Sequence, residues 1–388
     1  MKSTKESWFK IREFIFLALL SAEIILRLIE RTRLDMKTPA GYTLVAIELF
    51  WIPVALGALY VTDVMITGIR SNLKKMCIDG FIGVFFIISA YTSCDFYLLA
   101  TGAFLVCSDK ASLKNIAKVV AASLIFGTVV IGALSQVGFI DDKLFNRFGR
   151  TAHSFGFRHY AFPARQLLFG WCAYLYFKTK KVSWPEHIVY FIAGYLVYYF
   201  TTQRLTLVVF ILVWVLYIVF VKYELIKIDT LFIKICSIIA FPVCGIVSVV
   251  ITYLYDSSVS WMKQLDKLVN TRLSVGTIAF DRYDINLFGQ YVLDTAPGSA
   301  EGYFYMDCGY LDVLMSHGVI LFVIALVICS VMYLYSCYKK DTMLFVWMSC
   351  ILVYTVVDCV WLDTIGAGTG VIIFGAILGS IRQERKNI

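Results

Sequence analysis

Apolar runs of roughly one bilayer's length recur along the whole chain, separated by short polar connections. They fall at 12–30, 42–62, 76–92, 95–109, 116–135, 162–177, 187–203, 205–221, 231–255, 318–338, 343–360 and 364–381. A helix needs ~20 apolar residues to cross the hydrocarbon core, and only helices and closed barrels satisfy their own backbone there. These runs lack the strict alternation of a barrel strand, so they predict helices. The expected fold is an all-α integral-membrane protein, a polytopic bundle of about 12 transmembrane helices.

The connections then sort by charge. Lys74/Lys75, Lys110/Lys114, Lys222/Lys227 and Lys339/Lys340 close alternate connections. Cytoplasmic loops collect positive charge, so both termini are expected in the cytoplasm. That threading puts 17 lysines and four arginines inside, against four lysines and ten arginines in or near the outer loops. Positive-inside sorting explains the first group and leaves the second unexplained. Arginine offers a planar, permanently charged fork that matches phosphate. The outer arginines therefore point to a phosphate-bearing lipid handled at the outer face.

Two outer connections are longer than a turn requires, at 136–161 and 256–317. Long connections of this kind are functional or disordered, and the second is too rich in aromatics and helical pattern for disorder. Within it, Trp261, Met262, Leu265, Leu268, Val269 and Leu273 recur at helical spacing, opposite Lys263, Asp266, Lys267 and Asn270. That predicts one amphipathic helix over 260–273, lying on the outer membrane surface. Arg272 stands four residues after Leu268 and so falls on its apolar stripe. Two readings stand: a guanidinium reaching back to headgroups, or one presented to a lipid-linked phosphate.

Composition agrees. A chain of 388 residues that is 60% hydrophobic and 16% charged is no ordinary soluble domain, and it reads as a single polytopic membrane domain over 1–388. The net charge of +8 sits at helix ends facing anionic lipid, so the partner is the bilayer and no stripe suits nucleic acid. The 11 cysteines lie mostly inside apolar runs, with no CxxC pair and no metal-ligand spacing. No P-loop or dinucleotide fingerprint occurs, so no cofactor and no metal is expected. The N-terminal stretch has no small-x-small cleavage site and reads as a retained first helix.

Candidate chemistry gathers on the outer side. Arg158, His159 and Arg165, with His153, occur within thirteen residues before and into the sixth run. They suit phosphate coordination and proton transfer, or a hydrated collar at a helix end. Arg204 has apolar helix on both sides and hardly any loop in which to retreat, which marks a ligand site or a tight turn. Arg282 follows Arg272 between two further aromatics. Asp307, Tyr310 and Asp312 precede the tenth run and His317 stands at its mouth. Acceptors and hydroxyls there suit sugar hydroxyls, while Asp307 also suits a helix N-cap.

The series GFRH (156–159), TTQR (201–204), NTRLSVG (270–276), RYDINLFGQ (282–290) and MDCGYLDVLMSHG (306–318) resembles the Wzy-type polysaccharide polymerases of bacterial O-antigen, capsule and exopolysaccharide synthesis, within the O-antigen ligase superfamily. The layout matches over nearly the whole chain. Tyr160–Ala161 stand where Pro-Asn is usual, Gln203 where Ser is usual, and Cys308 where Asn is usual. The resemblance implies residence in the cytoplasmic (inner) membrane and polymerisation at its outer face. A growing glycan would leave its polyprenyl-pyrophosphate carrier and join a new lipid-linked repeat unit. The substrate would be a polyprenyl-pyrophosphate-linked oligosaccharide, with a chain-length regulator as a further partner. Arg158, Arg165, Arg204, Arg272, Arg282 and Tyr310 would bind substrate, and His159, Asp307 or His317 would act on the acceptor hydroxyl. Two other readings remain. A ligase would hand finished glycan to another acceptor on the same fold. A transporter or flippase would show related halves and charges near the midplane, and no internal repeat occurs here.

Overall fold

The computed structural model describes residues 2–147, 149–178, 181–295, 304–359, 361–366 and 368–386. Fifteen α-helices follow in order: α1 (Lys2–Glu30), α2 (Pro39–Ala46), α3 (Ile52–Thr67), α4 (Ile69–Ser93), α5 (Tyr97–Cys107), α6 (Leu113–Gln136), α7 (Ala161–Phe177), α8 (Trp184–Thr201), α9 (Arg204–Tyr217), α10 (Leu231–Tyr253), α11 (Ser260–Leu268), α12 (Arg272–Arg282), α13 (Gly309–Lys339), α14 (Thr342–Thr355) and α15 (Thr369–Lys386). A π-helical turn joins α2 to α3. The starts are those the sequence allows: Thr38 and Thr230 cap α2 and α10, and Ser183 with Glu186 forms a capping box on α8.

Each apolar run overlaps a helix, but the runs at 343–360 and 364–381 are shortened, because α14 ends at Thr355 and α15 begins at Thr369. Among the described residues, six helical stretches are long and apolar enough to cross a membrane: Pro39–Thr67, Leu73–Ser93, Leu113–Gln136, Arg204–Lys222, Leu231–Tyr253 and Gly309–Lys339. This is the architecture of an all-α, multi-pass membrane protein. The expected span at 95–109 is cut short. Here α5 has 11 residues, about 16 Å of helix, too little for the ~30 Å hydrocarbon core.

The α1 helix shows how polar residues enter this core. Its buried face runs Arg12, Phe16, Leu20, Glu23, Ile24, Arg27 and Leu28, the spacing of one helix stripe. Arg12, at one end, meets Asp109 at 2.8 Å and Asp63 at 3.6 Å. Arg27, at the other, meets Glu30, Glu48 and Asp363, with the Tyr97 ring 3.3 Å from its guanidinium carbon. The connections follow these two ends. Lys75 and Lys110 join the Arg12 group through Asp109 and Asp63. The stretch after α1 pairs instead with the loop before α7: Arg158 donates its backbone N–H to the Arg31 carbonyl, and Thr32 and Phe157 form a bridge.

The long connections carry structure of their own, and one expectation for them is corrected. The loop at 136–161 carries a β-hairpin, β1 (Leu144–Arg147) with β2 (Arg150–His153), in register Leu144 to His153. Its base is clasped by the Asp142 carboxylate, which accepts from Ser154 and Phe155 backbone N–H groups and lies 2.6 Å from His153 Nδ1. The amphipathic stretch 260–273 is two helices, because Asn270 and Thr271 adopt left-handed φ of 59° and 63°. Asp266, expected on the wet face, is buried, and its carboxylate accepts from the Leu273 and Ser274 N–H groups at the start of α12. The turn makes Arg272 the first residue of α12 and takes it off the α11 stripe. Residues 296–303 of the longer connection lie outside the described residues.

Candidate functional site

A break in α13 organises this end of the bundle. Gly318 has φ 89° and ψ 164° inside the helix, which frees backbone groups that an apolar surrounding would penalise. The loop after α12 answers them. Val319 and Ile320 donate to the Asn286 and Leu287 carbonyls, and Gln290 donates to Ser316 O. Ser89 of α4 donates to His317 O at 3.0 Å, and Thr92 to Phe288 O at 2.7 Å. Gly289 packs close to Gly318: a Cβ on Gly318 would run into the Leu287–Gly289 backbone, and one on Gly289 into the Ser316–His317 backbone. The Leu287–Phe288–Gly289 and His317–Gly318 motifs, 30 residues apart, thus form one joint.

The half-helix before the break starts at Gly309, just after Asp307. Around Asp307 four separate segments bring charge together. Arg272 of α12 sets Nε 3.8 Å from Asp307 Oδ2 and donates from Nη1 to the Val269 carbonyl at 2.9 Å. Arg165 of α7 is buried and pairs with Asp358 at 3.2 Å. Its Nε and Nη2 are buried with no hydrogen-bond partner among the described residues. Arg147 of the hairpin lies 5.2 Å from the centre of the Tyr160 ring. His159 packs against Phe145, Tyr160 and Phe162. Burial first, then the Arg165, Arg147 and Lys143 charges, pushes the His159 ring down to about 4, so it is neutral at neutral pH. Its Nδ1 accepts the Ala161 N–H at 3.3 Å, which leaves the ring proton on Nε2. Burial, and secondarily Asp358, raises the Asp307 carboxyl, while Arg272 and Arg147 pull the other way.

Beside this cluster lies a cavity of about 80 Å³ between α1, α5, α13 and the stretch after α14. Arg27, Arg31, Asp95, Asp312, His317 and Asp363 line it. Phe162 connects the two regions, with the Arg31 and Arg165 guanidinium carbons 5.4 and 4.8 Å from its ring centre. Burial alone would raise the Asp363 carboxyl, but Arg27, then Arg31 and Arg165, hold it at about 2.

Of the residues singled out from sequence, His159, Arg165, Arg272 and Asp307 come together. His317 lines the neighbouring cavity, with Nε2 3.8 Å from Asp95. Arg158 is exposed and its Nε donates to the Thr32 carbonyl, tying two loops. Arg204 is exposed at the start of α9, two residues before Thr206, whose hydroxyl lies 3.3 Å from that of Tyr354. Arg282 is exposed at the end of α12, 5.3 Å from the Phe304 ring centre. Tyr310, expected to meet substrate, is fully buried. Its hydroxyl donates to Leu352 O and its ring meets Trp361 edge-on, so it packs helices together. Sequence reasoning did not single out Arg147, Asp358 or Asp363. Acidic residues flanked by apolar ones, as in VVDCVWLD (356–363), carried the available signal.

The geometry defines a helical membrane protein with a dense charged site at one end. No family model, curated protein or solved structure matches the chain.

Proposed function

We propose that this protein joins polyprenyl-pyrophosphate-linked oligosaccharide repeat units at the outer face of a cytoplasmic membrane, with both termini inside. One observation carries the reading. Arg147, Arg165 and Arg272 reach one small region from a hairpin, a bundle helix and a surface helix. Asp358 pairs with Arg165, and Asp307 faces Arg272. Such a cluster suits a polyvalent anion, and fixed donors in a partly dry site stabilise charge developing on a leaving pyrophosphate. In the step, the anomeric C–O bond to pyrophosphate breaks, the acceptor oxygen bonds to that carbon, and its proton passes to a base. Asp307 is the base of choice, being a carboxylate with a raised pKa. His159 is better suited to donate from Nε2 to a phosphate oxygen, because Nδ1 is already engaged.

Purified protein given lipid-linked repeat units, without nucleotide sugar or added metal, should yield a ladder of longer glycans. Absence of a ladder from folded protein overturns the proposal. Long glycan moved onto a different acceptor would assign a ligase, and loss of the gene trapping repeat units on the cytoplasmic face would assign a flippase. A cysteine introduced at Lys263 should label from outside only.

A further inference from the structure

The cavity beside the arginine cluster differs from it in charge. Arg27 is committed to Glu30, Glu48 and Asp363, and Arg31 to Asp363. What remains facing the space is Asp95, Asp312 and His317. An anion entering here meets the Asp95 carboxylate and the acceptor oxygens of Asp312, and both arginines are already engaged by other acids. Hydroxyl groups fare better, because they donate to carboxylates and exchange hydrogen bonds with imidazole in either direction. His317 is 6% exposed, its Nε2 faces Asp95 at 3.8 Å, and its Nδ1 is buried with no hydrogen-bond partner among the described residues. A buried orphan of this kind costs ~1–3 kcal/mol unless something meets it. The volume of about 80 Å³ holds on the order of six waters at 10–15 Å³ each, the space of one sugar ring. Asp312 stands about one turn into the half-helix that follows Asp307, so a ring held here extends away from the reacting hydroxyl. The loop joint at Gly289 and Gly318 fixes the backbone of His317 from outside.

We propose that this cavity is a neutral-sugar subsite, in which Asp95, Asp312 and His317 hold one ring of the acceptor glycan through its hydroxyls. The proposal rests on the polymerase reading and assigns recognition of acceptor and pyrophosphate to two separate places.

The test uses the full-length protein in nanodiscs and, as probe, glycan released by mild acid from the lipid-linked pool of the producing cells. Saturation-transfer NMR should show ring protons of this carrier-free glycan in contact with the protein. His317→Phe and Asp312→Leu should each weaken that binding about tenfold, as expected when a buried hydroxyl loses its hydrogen-bond partner. Should either fail to fold by thermal melting, Asp95→Asn, on the 39%-exposed rim, should still weaken it several-fold. Inorganic pyrophosphate should not displace the glycan. Absence of saturation transfer to wild type, unchanged binding in the folded variants, or displacement by pyrophosphate overturns the subsite. A glycan ladder obtained alongside any of these results leaves the polymerase reading intact. Conversely, glycan binding lost in the variants but no ladder from wild type keeps the subsite and removes the polymerase.

Discussion

Replacing Arg272 with Lys tests the proposed leaving-group site while keeping a positive charge. The guanidinium makes two contacts at once, donating to the Val269 carbonyl and facing Asp307 at 3.8 Å. An ammonium cannot hold both directions and offers phosphate no parallel fork. Losing one preorganised donor to developing charge typically slows the chemical step ~10²–10³-fold, about 3–4 kcal/mol in the barrier. A second effect separates this role from simple misfolding. At 3.8 Å the Arg272–Asp307 attraction is about 4 kcal/mol for an effective dielectric constant of ~20. Asp307 keeps 34% of its side chain exposed, and screening reduces this to roughly 1 kcal/mol. Arg272 lowers the Asp307 pKa, so Arg272→Ala should raise it, and the acid limb of the pH–rate profile should move up by roughly one pH unit. The assay is ladder formation from lipid-linked repeat units across pH, at matched protein level. Near-normal rates in Arg272→Lys, or an unmoved acid limb in Arg272→Ala, would refute the reasoning and leave Arg272 as a tether between α11 and α12.

Asp358→Asn should destabilise the protein by about 3–5 kcal/mol, because it strands the buried Arg165 charge; thermal melting checks this, and Arg165→Met added to Asp358→Leu should recover much of the loss. The neutral His159 ring stabilises the fold fully above the unfolded value near 6.5, and that contribution is lost as pH falls toward about 4. At pH 5 the loss is about 2 kcal/mol, so wild type should melt with a steeper acid dependence than His159→Asn, and equal slopes would contradict this. Gly318→Ala should cost about 1–3 kcal/mol from its backbone at φ 89°, and it should also expel the 286–290 loop, read as faster proteolysis there. Resistance to cleavage equal to wild type would mean the joint is not what holds the loop.

Helix positions were legible because a membrane imposes them: an apolar run must bury its backbone polarity in a helix. Length was less legible, as α5 shows. Its apolar residues continue the pattern, but Ser108–Lys110 tighten into a 3₁₀ turn so that Asp109 can reach Arg12 and Lys75. The turn after α11 escaped for a similar reason. Leu265, Leu268, Val269 and Leu273 keep a helical period straight through it, and only Asn270–Thr271 marks it. For the candidate site, arginine and histidine at the ends of apolar runs are what single out His159, Arg165 and Arg272, which the fold brings together. Asp307 was legible because it precedes a helix. The partners of these residues were not, since Arg165 to Asp358 is a contact between segments 193 residues apart that no local pattern encodes.

The break in α13 explains why the two charged regions can sit side by side. A continuous helix from Gly309 to Lys339 would satisfy its own backbone and leave the 286–290 loop nothing to bind. With Gly318 out of helical geometry, the first half-helix is held by that loop and by Ser89 and Thr92 of α4. Asp307 then stands before this half-helix and His317 ends it, so one rigid element presents a carboxylate to the arginines and an imidazole to the acidic cavity. On the proposed chemistry this arrangement has a consequence. Donor pyrophosphate and acceptor sugar carry opposite demands, fixed cations for one and hydrogen-bond acceptors for the other. Mixing the two sets would let the Asp95 carboxylate compete with the leaving group for the arginines. Keeping them apart, joined by Phe162 and its flanking Arg31 and Arg165, preserves both potentials within reach of a single glycosidic bond.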